Sequence, residues 1–342
     1  MALGICIIRV DASSLIGNGH LSRCLIIANY MRKKGWKLEF CTCKEQSKHI
    51  IVNEGFSCKI LEDNESIPTN YFQTTLPIVI IADINSEAIF SSTIEYKKYI
   101  RILDRQADLL VTFEDLVNHP YSAGIVVIPY CGSEKLELDN NVDTKYLLGP
   151  RFFLLKDEFY NTKYSLNSKV ENILITMGGS DPNNLTIKVL SALNQQKIDA
   201  VITLVIGGLS QITDHELKES SGVLINKIVI KRNIGNFAEI MSEADIAFTN
   251  SGLTKYELSA IGVPMIIISN TEEQAKYSKV FSEYGSSFHL GYHKLVSEEA
   301  IVNAYNHLHN DFYKRSDMSN NGKQLLEKDT MKKIYREIEE RV

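Results

Sequence analysis

A histidine stands among glycines directly after the first apolar run of the chain. The run GICIIRVDA is followed by LIGNGHLSRC, a segment that contains Gly17, Asn18, Gly19, His20 and Arg23. The glycines permit positive φ angles and a close approach of the backbone to a ligand. An imidazole titrates near neutral pH, so His20 can take a proton from water or from a hydroxyl group. A helix cap without any chemical role explains the same histidine equally well.

Charged residues flank this glycine-rich loop. Arg9 and Asp11 lie in and just after the apolar run, and Arg23 lies in the helix expected to follow the loop. A carboxylate and a guanidinium at this place can fix the loop and a substrate, because the carboxyl ends of parallel strands are where open α/β sheets bind ligands. The same residues are equally consistent with an ordinary ion pair.

A second glycine-rich loop, TMGGSDPNN, lies between an apolar run and the helical pattern LTIKVLSALN. Gly178, Gly179 and Ser180 can form a cradle for a phosphate or a ribose, with contacts from backbone N–H groups and the serine hydroxyl. Ser180 or Asp181 suits the N-cap position, and Pro182 suits the first helical position. A well-capped turn between strand and helix, without a ligand, fits these residues equally well.

The third loop lies within FTNSGLTKYELSAIGVP, residues 248–264. Its small polar residues at a helix start are the donors that an anionic diphosphate needs when no metal is present. A carboxylate one turn later can accept both hydroxyls of a ribose, although a glutamate in the first turn also stabilises a helix dipole without any ligand. The candidate binding residues here are Asn250, Ser251, Gly252, Leu253, Thr254 and Glu257.

Two series of apolar runs position these loops. GICIIRV, KLEFCTC, PIVIIAD, IRILD and GIVVIP form the first, and NILITMGG, AVITLVIGG, KIVIKRN, ADIAFTN and VPMIIISN form the second. Helical patterns alternate with the runs, which indicates repeated βαβ units and an α/β fold. The chain of 342 residues suits two domains. We expect an N-terminal domain over 1–150, a connector over 151–170, a C-terminal domain over 171–325, and a helix over 326–342 that is a candidate to pack back on the N-terminal domain.

The composition narrows the class of protein. A hydrophobic content of 44% and a net charge of -5 give no basic footprint for nucleic acid or for an anionic membrane. The apolar runs are too short to span a bilayer. Six cysteines without a C-x-x-C spacing, and no leader-like start, favour reduced thiols and a cytoplasmic protein. The eight histidines show no metal-binding spacing. We therefore assign the seven histidines other than His20 a surface or capping role, and we expect no metal or cofactor.

Five segments, spread over most of the chain, carry a family resemblance: RVDASSLIGNGHLSRCLIIA, FEDLVNHPYSAGIVV, YLLGPRFFLLKDEF, ILITMGGSDPNNLT and ADIAFTNSGLTKYELSAIGVPMIII. They resemble the PseG family of UDP-sugar hydrolases and the related SpsG-type polysaccharide proteins. PseG enzymes remove UDP from a 2,4-diacetamido-2,4,6-trideoxy-altropyranose on the route to pseudaminic acid. The resemblance implies the GT-B architecture of the MurG glycosyltransferases, with two Rossmann-like domains that face a cleft.

The resemblance also implies roles for single residues. It makes His20 the catalytic base and implies that the neighbouring glycines shape the sugar site. It assigns UDP to the loops Gly178–Ser180 and Ser251–Thr254, and the ribose to Glu257. This chain departs from the family pattern in two places. ADINSE keeps Asp83 but changes the residues after it, and NTEEQ keeps Gln274 but places Glu273 where the family has a neutral amide. These changes suggest a different sugar.

These observations lead to one expected activity and two alternatives. We expect a UDP-linked deoxy-amino sugar to bind in the cleft and to be hydrolysed, with Asp11 or Asp83 orienting the base or the sugar. A glycosyltransferase would use His20 on an acceptor hydroxyl instead of water. A nucleotide-sugar sensor or partner subunit would bind without turnover. The sequence leaves the oligomeric state open.

Overall fold

The computed structural model describes residues 2–12, 19–62, 66–68, 74–85, 89–114, 124–138, 143–196, 198–222 and 227–342. The chain divides into two compact units. The first comprises Met1–Leu155 and Glu327–Val342, and the second comprises Lys156–Leu326. Each unit is built on one parallel β-sheet whose strands alternate with helices along the chain. The α/β prediction with two Rossmann-like units is therefore confirmed.

In the first unit, the described strands are β1 (Ile5–Val10), β2 (Lys37–Thr42), β3 (Cys58–Ile60), β4 (Ile78–Asp83), β5 (Leu109–Phe113), β6 (Ile125–Ile128) and β7 (Lys145–Leu148). The helices that alternate with them are α1 (Gly19–Lys33), α2 (Glu45–Asn53) and α3 (Thr93–Arg105). β1 and β4 are central strands, and they are apolar along nearly their whole length because both faces of a parallel sheet are covered.

The order of the strands in the first sheet explains where its candidate residues meet. The order is β3-β2-β1-β4-β5-β6-β7, and neighbouring strands pair in parallel. The chain winds outward in one direction from β1 and then in the other direction from β4, so a switch point lies between these two strands. Val10 of β1 pairs with Asp83 of β4. Residues that follow β1 therefore lie beside the end of β4, where sheets of this kind bind ligands.

In the second unit, the described strands are β8 (Asn172–Thr176), β9 (Val201–Ile206), β10 (Ile228–Arg232), β11 (Ile246–Asn250), β12 (Met265–Ser269) and β13 (Ser287–Tyr292). Its helices are α4 (Asp157–Asn161), α5 (Leu185–Asn194), α6 (Asp214–Ser221), α7 (Phe237–Ser242), α8 (Thr254–Ile261), α9 (Glu272–Ser282), α10 (Glu298–Asn310) and α11 (Phe312–Leu325).

The second sheet repeats the topology of the first. Its order is β10-β9-β8-β11-β12-β13, again with parallel pairs, so a switch point lies between β8 and β11. Thr176 of β8 pairs with Thr249 of β11. The loops that begin after these two residues are the second and third loops identified from the sequence, so the topology places them side by side.

The chain returns to the first unit through helix α12 (Thr330–Glu339). Its apolar residues Met331, Ile334 and Ile338 belong to the same buried cluster as residues of β1 and α1. The indole of Trp36 donates to the hydroxyl of Tyr335 at 3.2 Å. The last helix therefore completes the core of the first unit.

Residues 156–170, most of the predicted connector, belong to the second unit. The carboxylate of Asp245 accepts from the backbone N–H groups of Glu171 and Asn172, at 2.8 and 3.0 Å. The buried guanidinium of Arg315 donates to the carbonyl oxygens of Asn167 and Ser168. These bonds fix the end of the connector against its unit.

Two of the predicted elements differ from the structure. IRILD was expected as a strand but lies in α3, where Tyr96, Tyr99, Ile100 and Leu103 form one buried face at helical spacing. Ser92 caps that helix. KYLL, assigned to the region around the connector, forms strand β7. Across the described ranges, no helix is both long enough and apolar enough to cross a bilayer.

Candidate active site and nucleotide loops

His20, Asp83 and Arg23 form one cluster at the switch point of the first sheet. His20 Nδ1 lies 2.6 Å from Asp83 Oδ1. Arg23 donates to the same carboxylate with two nitrogens, Nε to Oδ2 at 2.6 Å and Nη2 to Oδ1 at 2.7 Å. α1 begins at Gly19 and carries both His20 and Arg23, and Asp83 ends β4. The helix and the strand thus bring together residues that lie 60 or more positions apart.

The charge on Asp83 is strongly favoured. Burial alone would raise the pKa of this fully buried carboxyl, but the charge of Arg23 and the contact with His20 outweigh burial and hold the pKa at about 2. An ionised carboxylate can only accept, so His20 carries its proton on Nδ1 when the imidazole is neutral. Among the described residues, Nε2 of His20 has no hydrogen-bond partner. It therefore presents a lone pair, which is the requirement for a general base.

Arg23 belongs to the support of this cluster rather than to a free binding surface. Besides its paired bonds to Asp83, its Nη1 lies 3.4 Å from the hydroxyl of Tyr130. Its guanidinium also stacks over the ring of Phe113, with 5.0 Å between the carbon and the ring centroid. Only 6% of Arg23 is exposed, so its donors are committed inside the protein. The sequence pattern assigned Arg23 to substrate binding, and the structure places it behind Asp83.

Asp11 belongs to a separate network. Its Oδ2 accepts from Arg9 at 2.7 Å, and its Oδ1 accepts from the hydroxyl of Thr42 and the backbone N–H of Cys43, both at 2.7 Å. Arg9 also donates to the hydroxyl of Tyr99. No hydrogen bond joins Asp11 to His20 in the described part of the chain. Asp11 therefore ties β1 to β2, and of the two candidate orienting carboxylates only Asp83 contacts His20 among the described residues.

Two candidate substrate-binding residues of the first loop, Gly17 and Asn18, lie outside the described residues. Gly19, the third member of that set, is described as the first residue of α1.

The second loop is shaped by Gly178 and bonded by Asp181 to the helix that follows it. Gly178 has a φ of +78°, which side chains disfavour, and a Cβ there would press on the amide of Asn250. The carboxylate of Asp181 accepts from the N–H groups of Leu185 and Thr186 at 2.8 and 3.0 Å. Asp181 therefore satisfies the helix start, whereas Gly179 and Ser180 stay exposed.

The expected N-cap, Ser180 or Asp181, and the expected position of Pro182 were both wrong, since Asn184 is the N-cap. α5 begins at Leu185, and Pro182 lies three residues earlier, because Asn184 adopts a left-handed conformation that prevents the helix from starting sooner. The turn is thus longer than the cap pattern indicated.

Asn250 joins the second and third loops. Its amide nitrogen donates to the carbonyl oxygen of Met177 at 2.7 Å, and its amide oxygen accepts from the N–H of Gly252 at 2.9 Å. Both ends of the side chain are used inside the protein. Asn250, predicted as a ligand-binding residue, therefore holds the two loops in register.

Gly207, which was not predicted as a site residue, supports the second loop. A Cβ on Gly207 would overlap with the carbonyl oxygens of Gly178 and Gly179, and Leu209 donates from its N–H to the latter oxygen at 3.0 Å. The backbone after β9 thus approaches the loop so closely that only glycine fits. Its one signal in the sequence is the glycine pair, Gly207 and Gly208, that ends the apolar run AVITLVIGG.

Replacement of Gly207 by alanine is expected to lower the free energy of unfolding by about 2 kcal/mol, because the added methyl group displaces loop backbone rather than a flexible side chain. Urea denaturation measures this loss. Gly208→Ala is the matched control, since a Cβ there meets no atom within 4 Å, and its effect is expected within about 0.5 kcal/mol. Equal stabilities of the two variants would contradict the close approach.

The third loop and the start of α8 are compact. Ser251 is 8% exposed, and Thr254 is buried at the first position of the helix. The buried ammonium of Lys255 donates to the carbonyl oxygen of Ser251 at 2.9 Å. Leu253 is exposed. The loop therefore has a positive charge directly behind its backbone, which favours a nearby anion.

Glu257 is half-buried on the first turn of α8. Burial raises its pKa to about 7, against the opposing effects of Lys156 and of the Thr254 hydroxyl, which donates to the carboxylate. The residue therefore changes charge near neutral pH. Shifts of this kind concentrate at functional sites, although structural networks also cause them.

Gln274 lies at the start of the next helix along the sheet, α9. Its side-chain oxygen accepts from the N–H of Asn270 at 3.2 Å, and Thr271 caps the helix by accepting from the N–H of Gln274. Asn270 in turn accepts from Asn183 of the second loop at 3.0 Å. Gln274 thus reaches the second loop through one intermediate residue.

The default assignment of a surface or capping role was wrong for His289. This half-buried residue lies within β13, and its Nε2 is 2.8 Å from the hydroxyl oxygen of Ser269. Burial, together with the nearby charge of Lys255, lowers its pKa to about 4. Within the part of the chain that the structure describes, no three His, Cys, Asp or Glu side chains are placed together to hold a metal ion.

Two relatives are similar in sequence. The uncharacterized protein MJ1062 of Methanocaldococcus jannaschii is 32% identical over 333 residues, which cover 87% of this chain and 66% of the relative. The spore coat polysaccharide biosynthesis protein SpsG of Bacillus subtilis is 28% identical over 189 residues, which cover 54% of this chain and 55% of SpsG. The chain thus spans just under two thirds of MJ1062 and about half of SpsG. No family model matches the chain.

Solved structures establish the fold. MurG of Acinetobacter baumannii is similar with a TM-score of 0.70 at 14% identity, over 98% of this chain and 99% of MurG. The chain has the GT-B fold. UGT2 of Phytolacca americana, solved in complex with UDP-2fluoro-glucose, is similar with a TM-score of 0.67 at 8% identity over the full length of both chains. At such identities the likeness concerns the fold alone.

The GT-B fold brings the candidate residues together in two groups. His20, Asp83 and Arg23 meet in the first unit, while the second and third loops meet in the second unit through Asn250. Asp11 stands outside both groups. The sequence did not predict the supporting residues, because each of them makes its contact with a residue that is distant along the chain. These residues are Tyr130, Gly207, Ser269 and His289.

Proposed function

We propose that the protein binds a UDP-linked sugar and releases UDP by hydrolysis, with His20 as the general base. The observation that carries this proposal is the pairing of His20 Nδ1 with the ionised carboxylate of Asp83, which leaves Nε2 as the basic atom. A carboxylate that holds an imidazole in this tautomer is a recurring arrangement in hydrolytic sites.

The reaction follows from these groups. Nε2 of His20 takes a proton from water as the water oxygen attacks the anomeric carbon of the sugar. The bond from that carbon to the diphosphate oxygen breaks, and UDP leaves with the electron pair. The proton stays on His20, where the negative charge of Asp83 stabilises the imidazolium ion. The backbone N–H groups at the second and third loops, with Lys255 behind the third, stabilise the charge on the leaving diphosphate.

The comparisons support the substrate class of this proposal. SpsG is named as a polysaccharide biosynthesis protein, and UGT2 was solved with a UDP-sugar analogue. We therefore infer that the substrate is a UDP-linked sugar that feeds a surface polysaccharide or a nonulosonic acid. A deoxy-amino sugar is the class we favour, from the resemblance of the segments to PseG enzymes.

A glycosyltransferase is the second candidate, and the likeness of the whole chain to MurG supports it. In that reaction the same atom of His20 would take the proton of an acceptor hydroxyl instead of water. The third candidate, a nucleotide-sugar-binding protein without turnover, would use the loops of the second unit and not the His20–Asp83 pair.

Release of free UDP, without any acceptor, tests the proposal. The purified protein is incubated with a panel of UDP- and CMP-linked amino sugars, and UDP or CMP is measured. We expect turnover of a UDP-linked member. Binding of UDP-sugars without release would instead support a transferase or a binding protein, and the absence of binding would contradict all three.

The charge of Glu257 is expected to control nucleoside binding if this carboxylate accepts the ribose hydroxyls. Because its pKa is about 7, it is ionised at pH 8 and protonated at pH 6. An ionised carboxylate offers acceptors only, which match two hydroxyl donors. We expect uridine to bind about five-fold more weakly at pH 6 than at pH 8, since one hydrogen bond is worth about 1 kcal/mol.

The readout for this prediction is a uridine titration at several pH values. Uridine is preferred to UDP because it carries no phosphate that titrates in this range. Glu257→Gln is the control, and its affinity should not change across the range. A pH dependence that persists in Glu257→Gln would assign the effect to another group.

A further inference from the structure

Three side chains form a hydrogen-bonded row under the third loop. The hydroxyl oxygens of Ser251 and Ser269 lie 2.6 Å apart, and the oxygen of Ser269 lies 2.8 Å from Nε2 of His289. Ser251 follows β11, Ser269 ends β12, and His289 lies in β13. Ser269 is fully buried. The row therefore runs across three neighbouring strands and reaches the loop from inside the protein.

Such a row has a direction, because each hydroxyl group has one proton to donate. The imidazole of His289 is neutral near pH 7, since burial and the charge of Lys255 lower its pKa to about 4. If the proton is on Nε2, His289 donates to Ser269 and Ser269 donates to Ser251. The proton of Ser251 is then left for an outside acceptor. With the proton on Nδ1 the row reverses, and Ser251 donates inward.

Only the direction in which the hydroxyl of Ser251 donates outward suits an anionic ligand. The oxygens of a diphosphate are acceptors near neutral pH, and a hydrogen bond to a charged group is stronger than one between neutral groups. Lys255 donates to the backbone carbonyl of Ser251 and so holds the loop while the hydroxyl group turns. The row and the lysine thus act on the same residue from different sides.

We propose that His289 is a positioning residue for the nucleotide loop: through Ser269 it turns the hydroxyl of Ser251 so that this group donates to a phosphate oxygen of a nucleoside diphosphate. This inference rests on the proposed function, which assigns UDP to the loop. His289 itself does not touch the ligand. Its effect should therefore depend on the phosphates and on Ser251.

The experiment compares the affinities of UDP and uridine for the intact protein, by calorimetry for UDP and by ligand-observed NMR for uridine. In His289→Phe we expect UDP to bind about ten-fold more weakly, equal to about 1.4 kcal/mol, and uridine to change less than two-fold. His289→Gln keeps an N–H donor near the position of Nε2 and is expected to retain most of the UDP affinity. His215→Phe is the matched control, because that side chain is exposed on α6.

A double-mutant cycle with Ser251→Ala gives the decisive readout. If His289 acts through Ser251, adding His289→Phe to Ser251→Ala weakens UDP binding no further. Additive losses, or equal losses for UDP and uridine, would show that His289 only supports the packing of the sheet and would overturn the inference. An unchanged UDP affinity in His289→Phe would overturn it as well.

The inference and the proposed function can fail separately. UDP binding without turnover would contradict the hydrolase and leave the role of His289 testable by the same titrations, with the predicted pattern still supporting it. Failure of the wild-type protein to bind UDP would overturn both together.

Discussion

Replacement of His20 by alanine is expected to slow acceptor-free release of UDP by about 10²- to 10⁴-fold, the usual contribution of a general base. The reason is local, since pairing of Nδ1 with Asp83 leaves Nε2 of His20 as the basic atom, and no described residue binds it. UDP affinity should change less than two-fold, because the nucleotide is assigned to loops of the other unit. A loss in kcat with little change in binding is the expected pattern.

His49→Ala is the control for this variant. His49 lies exposed on α2 of the same unit, so its replacement removes an imidazole without touching the cluster. We expect wild-type turnover from it. Wild-type UDP release by His20→Ala would show that another group activates the water, and equal losses in both variants would point to a general effect on the unit.

Replacement of Asp83 by asparagine is expected to lower the free energy of unfolding by about 3–5 kcal/mol, the usual cost of removing one partner from a buried ion pair. Arg23 is 6% exposed and directs two nitrogens at this carboxylate. After the substitution its charge stays buried without a negative partner. Urea denaturation near pH 7 gives the measurement.

The same carboxyl predicts an acid dependence of stability. Its pKa is about 2 in the folded protein, below the ordinary value of 3.8. Its contribution to stability is therefore present above about pH 4 and is lost as the pH falls through 4 towards 2. Linkage puts this contribution at about 2 kcal/mol. Wild type should lose that amount over this range, and Asp83→Asn should lack this part of the slope.

Asp104→Asn is the matched control for both measurements. Burial raises the pKa of the half-buried Asp104, so removal of its charge should not destabilise the unit by more than about 1 kcal/mol.

Asp83→Asn should also slow UDP release, because an amide can donate to Nδ1 and leave the proton on Nε2. An Asp83→Asn protein as stable as wild type would contradict the role of the buried pair.

The apolar runs predicted most of both sheets and the positions of the candidate loops. GICIIRV and PIVIIAD became the two central strands β1 and β4, and the loops with His20 and Gly178 follow β1 and β8 as expected. Apolar runs bounded by glycine are a strong signal because parallel strands are buried on both faces. The same signal gave a wrong prediction for IRILD, because a short apolar stretch does not distinguish a strand from the buried face of a helix.

The sequence did not predict which groups the candidate side chains contact. Arg23 and Asn250 were selected for their types and places, but the atoms that they contact, on Asp83 and Met177, decide that they support the site. The contact of His289 with Ser269 has no local motif, because it joins two neighbouring strands. Local patterns report periodicity and turns, whereas these roles arise from contacts between strands that are far apart in the chain.

The return of the chain to the first unit sets an order for protein synthesis. The second unit is one continuous segment, Lys156–Leu326, so all of it emerges from the ribosome before α12 does. The first unit lacks the core residues Met331, Ile334 and Ile338 until that helix emerges. The unit translated first is therefore the one completed last, because the apolar residues that pack against α12 stay uncovered until this helix emerges.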